Sequence, residues 1–434
     1  MRSSVIFLGT VITLLSMIAI GNYNIRLAAS DVRTAGVFIT HLLIYPDRYV
    51  DDISRLLTPL GYLNPIVMIQ YFLFKVFGID PYYVSYLFVI GASVTLYLGI
   101  FYLAFTFLKD TRIAIITTFF AFIFALPSNN FALMFGGVGA QVFPDMNCYA
   151  LGLVAFVLAF LYKDRWGWAM ICMLGLIIVH AGHALLLSPM IGLFFIGKYF
   201  FMHHEKKLLL KQLISILAVL LLSTAPALVM LFSTENIIDN QHIYSVWSGL
   251  TNGHVYPWEN EFSFVPMLSS YGACIALFLI SRCNYIRITQ AFWILFYSIL
   301  TGIVILLLLH IGILYFDIVE LVRFTTLQPL RATVYLPLLI FPFICYMITS
   351  KILKPERNFL LKLIIILFCI FCSSFSSMGF WFFIPVFIIV EFRRVRFDKK
   401  NIDILKRNVL FSILIFTSCV IVSLIINRNY SIYE

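Results

Sequence analysis

Charge is scarce in this chain. Of its 434 residues only 12% are Asp, Glu, Lys or Arg, while 62% are hydrophobic and the mean hydropathy is +1.00. A soluble domain carries about 25% charged and about 45–50% apolar residues. The shortage excludes a soluble domain with a simple anchor and predicts a polytopic integral membrane protein. The phosphate-binding loop G-x-x-x-x-G-K-[ST] is missing as well, which argues against direct use of ATP. Charges in the middle of apolar runs and half-to-half repeats are not evident, and both are marks of transporters and flippases. No small-residue cleavage site follows the apolar stretch Val5–Ile20, which reads as a retained first span. The 8 cysteines lie mostly in or beside apolar runs. Even the C-x-x-C pair Cys369/Cys372 sits inside such a run, where thiols act as small packing residues.

The net charge of +10 is distributed in a way that excludes a nucleic-acid surface. Basic residues occupy short hops between apolar runs, as expected where Lys and Arg hold loops in the cytoplasm. With a minimum of about 20 apolar residues per span, candidate spans are 5–21, 82–107, 113–127, 146–162, 167–182, 183–202, 208–232, 264–281, 289–312, 332–350, 358–374, 377–392 and 408–426. The fold class is therefore all-α, a single transmembrane domain over 1–434 with about thirteen spans. The apolar segment 64–78 is left out. It is short, opens with Asn64-Pro65 and contains Gln70 and Lys75, so it reads as an interfacial helix lying along the membrane. With the N-terminus inside, this choice leaves most of the 30 Lys and Arg on or near the cytoplasmic side, including Lys109/Arg112, Lys163/Arg165 and Lys206/Lys207/Lys211. Counting 64–78 as a span would break that agreement. The outer side then receives 22–81, 128–145, 233–263 and 313–331, with most of the 20 acidic residues.

The first external loop, 22–81, concentrates charge: Asp31, Asp47, Asp51, Asp52 and Asp80, with Arg26, Arg33, Arg48, Arg55 and Lys75. Its pattern predicts two short membrane-parallel helices separated by acidic turns. An acceptor hydroxyl is a weak nucleophile and needs a general base within hydrogen-bond reach. A carboxylate can also hold a divalent cation, Mg or Mn, that neutralises a departing phosphate, so a metal requirement stays open. Asp31, close to the first span, and the adjacent Asp51 and Asp52 are the candidate catalytic residues. Solvated loop charges and helix caps are the plain alternative for each.

Other segments offer binding groups. Arg323, Gln328 and Arg331 lie in the external loop 313–331, where an always-charged guanidinium matches phosphate bidentately. Snorkelling to headgroups, or pairing with Asp317 and Glu320, is the alternative. His180 and His183, in V-H-A-G-H-A, share a helical face if the helix continues; phosphate contact, metal ligation, proton transfer and simple interfacial anchoring are all open to them. Pro127–Asp145 contains G-G-x-G, read as a flexible re-entrant turn, with Asp145 and Asn147 able to line a cavity. In the second external loop, 233–263, Trp247 is a candidate for stacking on sugar, whereas Trp258 suits the aromatic belt.

The stretch Tyr45–Asp52 (YPDRYVDD), Asp31 before it, and N-P…F-G-I-D-P (Asn64…Phe77–Pro81) running into the next span resemble the GT-C superfamily of integral membrane glycosyltransferases. The resemblance covers most of the chain as topology and rests on short motifs. It implies a bacterial, polyprenyl-phosphate-sugar-dependent enzyme with an acidic residue in the first external loop beside juxtamembrane helices, and a basic residue on a late external loop for the donor phosphate. Implied partners are a lipid-linked sugar donor, a glycan or lipid acceptor and membrane lipids, with no nucleic acid. A surface-polysaccharide polymerase or ligase is the second reading. A lipid-linked oligosaccharide flippase or transporter is the third. A composition rich in Ile, Phe and Tyr, without a eukaryotic targeting signal, fits a bacterial inner membrane with the active site outside.

Overall fold

The computed structural model describes residues 37–49, 65–125, 146–202, 205–233, 273–278, 280–281, 288–315 and 329–352. Among these there is no strand. The helices are α1 (Val37–Ile44), α2 (Pro65–Phe77), α3 (Pro81–Leu108), α4 (Thr111–Ala125), α5 (Met146–Tyr162), α6 (Trp166–Met202), α7 (Lys206–Ser233), α8 (Gln290–Tyr315) and α9 (Tyr335–Ile352). Short 3-10 turns cover Pro46–Tyr49 and Pro329–Val334. The candidate spans 5–21, 358–374, 377–392 and 408–426, and the C-x-x-C pair, lie outside the described residues.

These helices belong in a membrane. Among the described residues three stretches are long and apolar enough to cross one: Trp166–Met202, Lys206–Thr224 and Gln290–Leu309, with mean hydropathies of 2.2, 1.8 and 2.6. Burial is also inverted relative to a water-soluble helix. On α7 the residues Leu210, Ile214, Leu217 and Leu221 form one stripe, each more than half exposed, while Gln212 and Ser223 are buried. Trp168, Ile171, Leu174 and Ile178 form a similar exposed stripe along the first half of α6. Buried hydroxyls return their protons to the backbone four residues earlier: Thr117 Oγ1 to the Ile113 carbonyl (2.8 Å), Thr118 to Ala114 (2.9 Å), Ser188 to Ala184 (2.7 Å) and Ser298 to Ile294 (2.7 Å). Such helices satisfy their polar groups internally, as hydrocarbon requires. Among its described residues the chain is all-α, with the apolar helices of a membrane protein.

By Cα packing it forms two compact units, 1–131 with 139–244, and 132–138 with 245–434. In the first unit α3 and α5 run parallel. Tyr102 packs on Phe156 (5.6 Å between ring centroids) and Phe107 on Tyr162 (4.9 Å), while Gly91 lies beside Tyr149. Between the aromatic layers the backbones meet at Gly99 and Gly152. A Cβ on Gly152 would lie 2.5 Å from the Thr95 carbonyl, so only glycine permits the approach. The chain reverses from α3 into α4 in two residues. Lys109 takes a left-handed conformation (φ 55°) and closes the end of α3 on the Phe105 carbonyl. Asp110 then caps α4, its carboxylate accepting from the Arg112 N–H at 2.8 Å.

α6 is a hairpin. A straight helix of its 37 residues would extend about 55 Å at 1.5 Å per residue. Yet Lys198 Nζ lies 2.7 Å from Asp164 Oδ1, just before the helix begins. The reversal occurs at His180, whose backbone is extended (φ −159°, ψ 84°). The arms 166–179 and 181–202 therefore run antiparallel, matching the two spans expected from the sequence. Gly182 leaves room for the His180 ring, since a Cβ there would sit 3.2 Å from its Cε1.

The second unit is a packed aromatic core. Phe292 meets Phe343 edge-on at 4.8 Å, and Phe278 stacks on Trp293 at 5.9 Å and meets Phe296 edge-on at 6.2 Å. Tyr335, at the start of α9, is completely buried.

Candidate functional site

Helix directions sort the ends of the first unit. Lys109, Arg112, Lys163, Arg165, Lys198, Lys206, Lys207 and Lys211 fall at one end: the α3–α4 and α5–α6 turns, the close of the α6 hairpin and the start of α7. Lys163 ties the α5–α6 turn to α3, donating to the Tyr102 hydroxyl at 3.3 Å with its ammonium over the Tyr102 ring at 4.5 Å. The opposite end holds the start of α3, the start of α5 and the α6 bend. The first loop's helices gather there.

Both short helices expected in that loop exist. α1 ends where Pro46 begins the 3-10 turn that carries Asp47 and Arg48. α2 starts at Pro65 and ends at Gly78, which has φ 66°. A buried chain of hydrogen bonds joins them to the bundle: Thr40 Oγ1 donates to Gln70 Oε1 at 2.6 Å, and Gln70 Nε2 donates to Ser85 Oγ at 2.9 Å. Tyr45 adds an edge contact with Phe74 at 6.1 Å. Sequence reasoning used Gln70 only to argue that 64–78 does not cross the membrane. Its position as the sole amide in an apolar 13-residue helix was the available sign of a buried partner. Replacing it, Gln70→Leu, removes the hydrogen bonds it shares with Thr40 and Ser85. The expected loss is about 1–3 kcal/mol, read as a lower thermal midpoint of the purified protein; an unchanged midpoint contradicts the tie.

The other predicted residues divide as follows. Asp31, Asp51, Asp52, Asp145, Trp247, Arg323 and Gln328 lie outside the described residues. Arg331 falls on the 3-10 turn leading into α9, in the second unit. Asn147 is the second residue of α5. His180 and His183 flank the α6 bend with ring centroids 4.6 Å apart, and His183 is buried. Antiparallel packing of α5 on the first arm of α6 is fixed by Phe160 on Trp168 and by Gly175 beside Leu153. Extending that register sets Asn147 level with the His180–His183 bend. Two groups of candidate residues from separate spans thus share one level at the polar-loop end. Asp80 serves as a helix cap. Its carboxylate caps α3, accepting from the Tyr82 N–H at 2.8 Å ahead of Pro81 at the first helical position. Among the described residues no three His, Cys, Asp or Glu side chains are grouped as a metal site would require. No protein-family model, curated protein or solved structure matches the chain.

Proposed function

We propose that the protein is a membrane glycosyltransferase of the bacterial inner membrane. It moves a sugar from a polyprenyl-phosphate-linked donor to a lipid-linked glycan or other acceptor at the outer face. The observation that carries this reading is the Thr40–Gln70–Ser85 chain. Through it, the described helices on either side of the segment bearing Asp51 and Asp52 are tied to the span α3. A loop that only connected spans would not need a buried hydrogen-bonded anchor. A loop that must hold a carboxylate near a lipid-borne substrate does, because a base acts only within hydrogen-bond reach.

In the proposed reaction the acceptor hydroxyl oxygen attacks the anomeric carbon. Its proton passes to an aspartate, with Asp31, Asp51 and Asp52 as the candidates. The bond from the anomeric carbon to the phosphate oxygen breaks, and polyprenyl phosphate leaves with the electron pair. The negative charge on the leaving phosphate needs a cation. Arg331 and Arg323 are the arginines the sequence offers on an outer loop. α2, at 13 residues or about 20 Å, is shorter than the ~30 Å hydrocarbon core, and its exposed Ile69, Phe72 and Val76 suit a helix lying in the outer interface.

The test supplies purified protein with polyprenyl-phosphate and polyprenyl-pyrophosphate sugars and measures transfer. The reading expects transfer from the monophosphate donor and its loss in at least one of Asp31→Asn, Asp51→Asn and Asp52→Asn. Transfer only from the pyrophosphate donor supports a polymerase or ligase instead. Binding with alternating accessibility and no transfer supports a transporter.

A further inference from the structure

We propose that the basic end of the first unit is a binding surface for anionic phospholipid, with Arg165, Lys206, Lys207 and Lys211 receiving the headgroup phosphates. This rests on the charges and the packing of that end and is independent of the glycosyltransferase reading.

Beyond Lys163, which donates to Tyr102, and Lys198, which pairs with Asp164, the cations there make no side-chain hydrogen bond or ion pair among the described residues. Lys198 is held by Asp164 at 2.7 Å. Asp110, the acid nearest the α3–α4 turn, is engaged in capping α4. The side chains of Arg165, Lys206, Lys207 and Lys211 are exposed and make no ion pair or side-chain hydrogen bond among the described residues.

The fold collects them from distant parts of the sequence. Because the second arm of α6 returns to Asp164, the chain leaves that arm at Met202 beside the 163–165 turn and begins α7 at Lys206. Arg165 and the first turns of α7 therefore lie at the same end of the unit. Apolar side chains at this same end are also exposed: Trp168, Phe200, Phe201 and Leu210 each leave more than half of their surface uncovered. Free cations beside exposed aromatic and aliphatic groups match a ligand with a phosphate at one end and acyl chains at the other. A soluble acidic protein or other polyanion complements only the charge. The single unpaired cation exchanged for a neutral group near an anionic surface changes binding about fivefold.

The experiment uses the full chain in detergent. It measures retention of phosphatidylglycerol against phosphatidylcholine by native mass spectrometry, across a salt series. Wild type is expected to retain phosphatidylglycerol in preference, and less so as salt rises. The neutral variant K206Q/K207Q/K211Q is expected to lose about a hundredfold of that preference, while K206R/K207R/K211R keeps it. Equal retention of the two lipids by wild type overturns the proposal. So does a neutral variant that retains phosphatidylglycerol like wild type, or an Arg variant that fails as the Gln variant does. Preference for soluble polyglutamate over phosphatidylglycerol vesicles overturns it as well.

Discussion

Gly152→Leu is expected to abolish recovery of folded protein. The α3–α5 crossing has no slack at this point: a Cβ on Gly152 meets the carbonyl carbon and oxygen of Thr95 at 2.5 Å and the Leu96 nitrogen at 2.6 Å. These are backbone atoms of a continuous helix and cannot turn aside as a flexible side chain would. Any side chain must therefore push the helices apart. Separation also loosens the aromatic layers on either side, Tyr149 near Gly91 and Phe156 against Tyr102. Even Gly152→Ala is expected to cost at least the ~1–3 kcal/mol typical of overpacking, because in lipid close packing is what holds helices together. A contrasting control is Gly192→Ala, where an added Cβ meets nothing within 4 Å. Size-exclusion profiles and thermal midpoints in detergent check the pair. Normal folding of Gly152→Leu would mean the helices do not cross there.

Asp164→Ala is the second large effect, and it should exceed that of Lys198→Met. Lys198 is 4% exposed and Asp164 52% exposed. Removing the aspartate leaves a buried ammonium that, among the described residues, faces the Phe194 ring 5.6 Å from its nitrogen. Removing the lysine leaves a carboxylate that water already reaches, and methionine refills the apolar stem. Breaking a fully buried pair from one side costs about 3–5 kcal/mol; the half-exposed aspartate lowers the expectation to about 1–3 kcal/mol. The double variant should resemble Lys198→Met alone, since the unpaired charge is then absent. Equal losses from the two single changes, adding in the double, would remove the ion pair as the clasp of the α6 hairpin.

Much of the helical framework was legible because hydrophobic length is a one-dimensional signal. Met146–Tyr162 coincides with the expected span 146–162, and Pro65 and Gly78 bracket α2 where the sequence placed a helix. The division near 182 was also readable, from polar His180 and His183 around Gly182 within a long apolar run. What sequence did not reveal is which helix meets which. Gly99 and Gly152 look like ordinary glycines in apolar runs, and nothing in either run names the other as its partner. Gln70 likewise reads as a polar blemish until Thr40 and Ser85 are placed around it. Asp80 belonged to the acidic cluster by position, yet a carboxylate before Tyr82, with Pro81 between them, is a capping arrangement that local sequence already carried. Of the candidate site, Asn147 and the two histidines share a level because α5 and α6 pack antiparallel, a relation visible only in three dimensions. Asp31, Asp51 and Asp52 keep their assignment from sequence alone.

The functional reading depends on the two ends of the first unit facing opposite sides of the membrane, with the polar-loop end outside. Single cysteines at two exposed positions, Asp47 on the loop and Lys207 at the basic end, in a background whose native cysteines are replaced, test this directly with a membrane-impermeant maleimide. Labelling of Asp47→Cys only from the outer face, and of Lys207→Cys only from the cytoplasmic face, is the predicted result. Labelling of both from one face, or the reverse assignment, would contradict it.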